Sequence, residues 1–246
     1  RILVPIDSSE IAERAMQQAI KINRLNEAEV HILYVADINK LAINAYLSDN
    51  VLIEIEKAGQ CILNAAKEEG YKSIVRPDYL GSSTAQHVDV IKHAIEDISL
   101  KEDIGDILVV LLANNVTIKS EWIDKCIEIM KSDMSISAVV PVYEDNDHHP
   151  LRGKTVDENG RLQMYEKNIL GKISTNRQDL PKCYFLSHNF WVLNTKMMIK
   201  NNYEGQQPWG FMGNNIAYYE IDESIDIHKT IDMFIAKEWI KENYTD

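Results

Sequence analysis

The sequence predicts an α/β fold of three layers, a mostly parallel sheet with helices on both faces. Two patterns predict it: short β-rich apolar runs recur along the chain, and stretches with apolar residues at helical spacing separate them. At 246 residues, 45% hydrophobic and 26% charged, the chain can bury the core of one large α/β domain or two small ones.

Ile2-Leu3-Val4-Pro5-Ile6 reads as a buried strand, and Asp7-Ser8-Ser9 supply turn and N-cap residues. Ile11, Ala15, Ala19 and Ile22 recur at helical spacing, and Val30-His31-Ile32-Leu33-Tyr34-Val35 is a second β-rich run, so the opening reads as a βαβ unit. Residues 53–70 read as a helix closed by Gly70, where a C-cap belongs. Ser73-Ile74-Val75 is a short strand, residues 85–98 a helix, and Ile107-Leu108-Val109-Val110-Leu111-Leu112 the most buried-looking strand, ended by the polar break Asn114-Asn115. Residues 121–132 form a helix with Trp122, Cys126, Ile127 and Ile129 among its apolar positions, and Ser137-Ala138-Val139-Val140-Pro141-Val142 a strand. The stretch that follows is loop-rich and carries His148, His149, Lys154, Arg161 and Arg177. Phe190-Trp191-Val192-Leu193 is a further strand and residues 231–242 a closing helix. The class is a Rossmann-like three-layer sandwich.

Composition excludes some functions. The net charge of −12, from 38 acidic and 26 basic residues, disfavours a nucleic-acid or anionic-membrane binder, which needs a positive surface. No apolar run approaches the roughly 18 residues that span a bilayer, and no leader with a small-residue cleavage site opens the chain. Cys61, Cys126 and Cys183 lie far apart without paired spacing, which argues against a disulfide framework or zinc site and for a reducing, cytoplasmic setting. His148-His149, followed by Pro150 and lacking a helical i, i+4 partner, reads as a solvated loop rather than a metal pair. Trp191, Trp209 and Phe211 read as core or interface packing rather than base-stacking groups.

Two family resemblances sit on this frame. Residues 1–70, with Ile2 to Ser9, then Ala12, Ala15, Ala19 and Glu29 to Val35, resemble the front half of a universal stress protein. That resemblance implies an adenine nucleotide held by Asp7, with its base beside Val35. The family's later Gly-rich phosphate segment has no counterpart here.

Residues 71–246 resemble the CMP-acylneuraminate synthetases, on Arg76-Pro77-Asp78-Tyr79-Leu80, Leu111 to Ile118, Asn176-Arg177-Gln178-Asp179-Leu180-Pro181, His188-Asn189-Phe190-Trp191, and Ser224-Ile225-Asp226-Ile227-His228 with Asp232. The resemblance implies a nucleotide-diphospho-sugar-transferase-like fold for this part, sharing one continuous sheet with the opening segment. It implies transfer of CMP from CTP to an acidic nonulosonic sugar with release of pyrophosphate, dependence on Mg²⁺, and a homodimer. Asp226 and Arg177 become the expected catalytic residues. Asp226 and His228 become the expected metal ligands, with His228 standing where the family carries a second Asp. Arg76, Asn114, Asn115, Lys154, Arg177 and Gln178 become the expected substrate contacts, Arg177 gripping the sugar carboxylate in two places. Competing readings remain open for these residues: Asp226 as a cap or solvated group at a strand end, Arg177 and Lys154 as solvated surface cations, and Arg76 as a structural ion pair.

The family opens with a Gly-rich, cation-bearing loop around the triphosphate, where backbone amides need Gly for close approach. Pro5-Ile6-Asp7-Ser8-Ser9-Glu10 stands there instead, with no Gly and two carboxylates, so the expectation is impaired CTP binding. A recombined chain is the resulting hypothesis, with an ATP-binding stress-protein-like module and a catalytically inactive chimera as the alternatives.

Overall fold

The computed structural model describes residues 2–6, 30–34, 64, 67–68, 70–81, 85–112, 114–168, 171–200 and 204–244, the first two segments as backbone. Asp7, Val35, the first expected helix and, apart from residues 64, 67–68 and 70, the helix expected over residues 53–70 lie outside the described residues.

The strands are β1 (Ile2–Ile6), β2 (Val30–Tyr34), β3 (Lys72–Ser73), β4 (Ile107–Leu111), β5 (Ala138–Glu144), β6 (Lys154–Val156), β7 (Leu162–Met164), β8 (Tyr184–Leu186), β9 (Phe190–Asn194) and β10 (Ile216–Glu220). The helices are α1 (His87–Ser99), α2 (Ser120–Ser132), α3 (Thr195–Lys200) and α4 (Thr230–Asn243). Among the described residues, the main sheet runs β3-β2-β1-β4-β9-β5-β10, with β8 also paired to β5, while β6 and β7 form a separate hairpin.

The main sheet is parallel in the majority of its pairings, with an antiparallel insertion. Four pairings are parallel (β1 with β2, β1 with β4, β2 with β3, β5 with β10), and three are antiparallel. All three antiparallel pairings involve β8 or β9. The physical reason is local: β8 and β9 are two pieces of one reversed run. β8 pairs with the end of β5, and β9 then wedges between β5 and β4.

Alternation along the strands sends side chains to two cores. Val109, Leu111, Val139, Phe190 and Val192 pack on one face against Trp122, Ile123, Cys126 and Met130 of α2 and Trp239 of α4. Leu108, Val110, Leu112, Val140, Trp191 and Leu193 pack on the other against Val88, Ile91, Ala94, Ile95 and Ile98 of α1. Helix, sheet, helix is the three-layer arrangement. Each fully buried large side chain among these contributes about 1.5–3 kcal/mol, and β9 supplies Phe190 and Trp191, both essentially inaccessible.

The end of α4 is fastened by Tyr244, whose hydroxyl donates to the carbonyl of Ile118 and whose ring lies 6.0 Å from that of Trp239. Burial, with a smaller contribution from the Glu121 carboxylate, pushes this phenol up to about 12. The folded state therefore favours the neutral phenol. Its stabilisation is complete below the ordinary tyrosine value near 10 and is lost as pH rises from there toward about 12. Chemical denaturation across this alkaline window is expected to show a loss of stability that Tyr244→Phe reduces.

No helix among the described residues is long and apolar enough to cross a membrane.

Candidate functional site

In an open sheet of this kind the ligand crevice lies at the carboxyl ends of the strands, where the strand order reverses. Here β1 is followed outward by β2 and β3, and β4 then returns to the other side of β1. The crevice is therefore expected just beyond Ile6 and Leu111.

Leu112 continues from β4, and its N–H donates to the carbonyl of Asn189 at 3.0 Å. The chain then turns through Asn114 into Asn115, which is fully buried. The Asn115 side-chain oxygen accepts from the Thr117 N–H (3.1 Å) and the Thr117 hydroxyl (2.7 Å). Its amide nitrogen donates to Ser224 Oγ (2.9 Å) and Asp226 Oδ1 (3.0 Å). One side chain thus makes four hydrogen bonds, close to the full capacity of an amide.

The residues on the far side of these bonds arrive from the end of the chain. After β10, residues 221–227 run back along the carboxyl edge as a strap. Ile221 N–H donates to the Val142 carbonyl (2.8 Å). Ser224 Oγ meets Ser187 Oγ at 2.7 Å, in the break between β8 and β9. Ile225 N–H donates to Thr117 Oγ1 (3.2 Å), Asn115 and Asp226 form an antiparallel bridge, and Ile227 N–H donates to the Asn114 carbonyl (2.8 Å). Thr117, Ser187 and Asn189 are fully buried, so the strap rests on a polar floor cut into an apolar sheet.

This geometry leaves Asp226 presented at the edge. Its side chain is 28% exposed, Oδ1 is held by Asn115, and Oδ2 accepts no hydrogen bond among the described residues; His228 Nε2 stands 3.9 Å from it. Tyr143, near the end of β5, has its phenol raised by burial first and then by the carboxylates of Asp145 and Asp226. Both acids therefore act on the same aromatic ring at the same edge. Asp232 accepts the N–H groups of His228 and Lys229 (2.9 and 2.8 Å), which hold its carboxyl below the ordinary range and start α4.

The fit of a divalent cation can be read from the donors. A hard cation such as Mg²⁺ keeps several waters and needs one or two protein carboxylates beside substrate phosphates. Asp226 Oδ2 suits that requirement, whereas the His228 imidazole is a poor hard-ion ligand. No group of three or more His, Cys, Asp or Glu side chains is placed for a metal among the described residues.

The other expected residues divide. Asn114, Asn115, Asp226 and His228 come together. Arg177 and Gln178 lie on a separate turn, Arg177–Asp179, where Arg177 Nη1 pairs with Asp147 Oδ2 at 2.7 Å and both side chains are 58% exposed. Ser174 and Asn176 pin that turn through Asp179 (2.6 and 3.4 Å). Lys154 starts the hairpin and lines a cleft of about 450 Å³ with Arg152, Met164, Ile173, Ser174 and Thr175. Arg76 lies over the turn Asp78–Gly81, with a guanidinium nitrogen 3.5 Å from where a methyl group on Gly81 would sit. The contacts of Asp226 and those of Arg177 share no residue.

Several participants escape sequence reading. Thr117, Ser187 and Asn189 have one signal, polar residues set between Val116 and Ile118 or between Leu186 and Phe190. His149, read as solvated, is buried, and its Nδ1 accepts the N–H of Leu151 at 3.1 Å. Trp191 and Phe211 are buried as expected for core residues. His87 and His188 press edge-on against Trp191, with centroids at 6.1 and 6.2 Å. Burial first, and His188 second, lower the pKa of His87.

Residues 1–104 match the universal stress protein family. No curated protein matches the chain. Among solved structures, that of CMP:2-keto-3-deoxy-manno-octonic acid synthetase complexed with CTP superposes with a TM-score of 0.60 at 10% identity, covering 99% of this chain and 98% of the other. The structure of 4-diphosphocytidyl-2C-methyl-D-erythritol synthase from Anaerococcus prevotii DSM 20548 superposes with a TM-score of 0.56 at 11% identity, covering 98% of each. The chain is thus similar to a stress protein in its opening sequence and has, over nearly its whole length, the fold of these two enzymes.

Proposed function

We propose that the protein is a nucleotidyltransferase that passes CMP from CTP to an acidic sugar of the nonulosonic type, releasing pyrophosphate. The observation that carries this reading is the Asp226 carboxylate, locked by buried Asn115 and keeping Oδ2 available at the strand-order reversal. The likeness in fold to a synthetase complexed with CTP supports the same reading.

In this reading Asp226 would hold Mg²⁺, which when bound draws charge from the phosphates. Asn115 fixes the carboxylate, and the strap keeps that anchor rigid. Arg152, Lys154, Ser174 and Thr175, lining the 450 Å³ cleft, offer two cations and two hydroxyls to a polyhydroxy acid. Arg177 stands beside them through Asp147, which also draws Arg152 to 3.6 Å. A homodimer belongs to this reading, the exposed Val156, Leu162 and Tyr165 of the hairpin region offering apolar surface for it.

The stress-protein match over residues 1–104 favours a second reading, an ATP-binding module in which the transferase chemistry is lost. One titration series separates the two. Under the first reading, CTP binds more tightly with Mg²⁺ than without, and a nonulosonic acid then elicits pyrophosphate release. ATP retained by the purified protein, with no response to CTP, supports the second and overturns the first.

A further inference from the structure

The loop after β5 holds a carboxylate–imidazole pair that the metal-anchor site does not use. Asp145 Oδ2 lies 2.6 Å from His148 Nδ1, while Asp145 Oδ1 accepts the N–H groups of Asp147 (2.9 Å) and His148 (3.0 Å). An ionised carboxylate can only accept, so in the neutral imidazole Nδ1 carries the ring proton and Nε2 keeps its lone pair. The His148 side chain is 81% exposed, so Nε2 is open to an incoming group, while that of Asp145 is 24% exposed.

Position gives the pair its meaning. Asp147, between the two, binds Arg177 at 2.7 Å. Arg152 donates to the carbonyls of Asn146 and Asp147 at 3.4 Å each, and the same Arg152 lines the 450 Å³ cleft. The loop is therefore tied to that cleft through Arg152, and Asp145 lies two residues beyond Tyr143, on whose ring Asp145 and Asp226 both act. Burial alone would raise the Asp145 carboxyl, but the hydrogen bonds from the His148 ring and backbone outweigh it and hold it low. Among the described residues, Asp147, Arg152 and Arg177 bear on the loop, with Tyr143 on β5 and Cys183 alongside, whose N–H donates to Asn146 Oδ1, and Glu144, next to Asp145, is paired with Lys182.

Resting on the nucleotidyl-transfer reading, we propose that His148, aligned by Asp145, is the proton acceptor for the attacking hydroxyl of the acidic sugar. The O–H bond of the acceptor breaks and its proton passes to Nε2. The oxygen forms a bond to the α-phosphorus, and the bond from that phosphorus to the pyrophosphate oxygen breaks, the electron pair leaving with pyrophosphate. Asp145 is the positioning residue: it fixes the tautomer and steadies the imidazolium that forms.

The test measures pyrophosphate release by the full chain with CTP, Mg²⁺ and a nonulosonic acid across pH, for the wild type, His148→Gln and Asp145→Asn. Loss of general-base catalysis is worth roughly 10²–10⁴-fold. His148→Gln is expected to lose kcat on that scale with CTP binding unchanged, and to alter the pH profile of the rate. Asp145→Asn is expected to reduce kcat less. Nitrogen-detected NMR of the wild type supplies an independent readout, the Nδ1–H tautomer of His148. Release by His148→Gln at the wild-type rate and pH profile, or an Nε2–H tautomer in the wild type, overturns the role of His148 alone. No release by the wild type with any nonulosonic acid overturns the transfer reading, and this role with it. Equal loss of thermal stability in both variants with unaltered kcat would show that Asp145 and His148 only close the loop.

Discussion

Asp226→Asn is expected to lower pyrophosphate release by more than the roughly 10–100-fold that follows removal of an outer-shell partner, while leaving the fold intact. Asparagine keeps the size of the side chain and an oxygen that can still accept from Asn115 Nδ2, so the bridge between strap and β4 survives. What disappears is the negative charge on the Oδ2 side, the group proposed to anchor the cation against the phosphates. The expected signature is a collapse of kcat and of the Mg²⁺ dependence of CTP binding, with a melting temperature within about 2 °C of the wild type, as for substitutions that keep local contacts. An unchanged rate would remove the observation on which the functional reading stands.

Asn115→Ala acts on the floor beneath that anchor and is expected to be felt first as instability. The substitution leaves the Thr117 N–H and hydroxyl, Ser224 and Asp226 without their shared partner. Each buried polar group deprived of a hydrogen bond costs about 1–3 kcal/mol, and some of these groups can turn to neighbours, so a loss of about 2–4 kcal/mol is expected. Urea denaturation measures it as a lower midpoint at unchanged slope. Lys154→Ala, at an exposed strand position, is the control for stability and is expected to fall within about 0.5 kcal/mol of the wild type. A fully stable Asn115→Ala would mean that the buried network contributes nothing to holding the strap.

Much of this architecture was legible because burial and period coincide. The helices α1, α2 and α4 and the strands β4, β5 and β9 each carry apolar residues on the faces that the two cores need, and their bounds agree with the sequence reading to within about two residues, the scatter usual for element ends. The sequence reading passed over β10, since it lies at the sheet edge with Tyr218 and Glu220 exposed and its other residues only partly buried. The hairpin β6–β7 escaped because all six of its residues are exposed, which erases any two-residue alternation. The reversal of β9 is invisible in principle: Phe190-Trp191-Val192-Leu193 is apolar on both faces, and direction leaves no mark on such a run.

The site was half legible for a related reason. Asp226 and Asn115 stand in blocks that could be matched, but the meaning of Asn115 depends on partners more than a hundred positions away. His148 and His149 look alike in sequence, yet one is exposed on a carboxylate and the other is buried as a local cap. Neighbouring letters with opposite environments can be told apart only in three dimensions.

The strap also bears on how the molecule comes to be competent. Its bonds to Asn115 and Thr117 span 108 to 111 positions of sequence. Contacts that distant bear a large loop-closure entropy and form after local ones. A chain emerging from synthesis would therefore assemble the neighbourhood of β4, α2 and β5 well before its final stretch returns to seal the edge. Stopping translation short of residue 221 should yield a compact body that lacks the Asp226 carboxylate proposed to anchor a cation, so that the proposed site is completed only when the chain is.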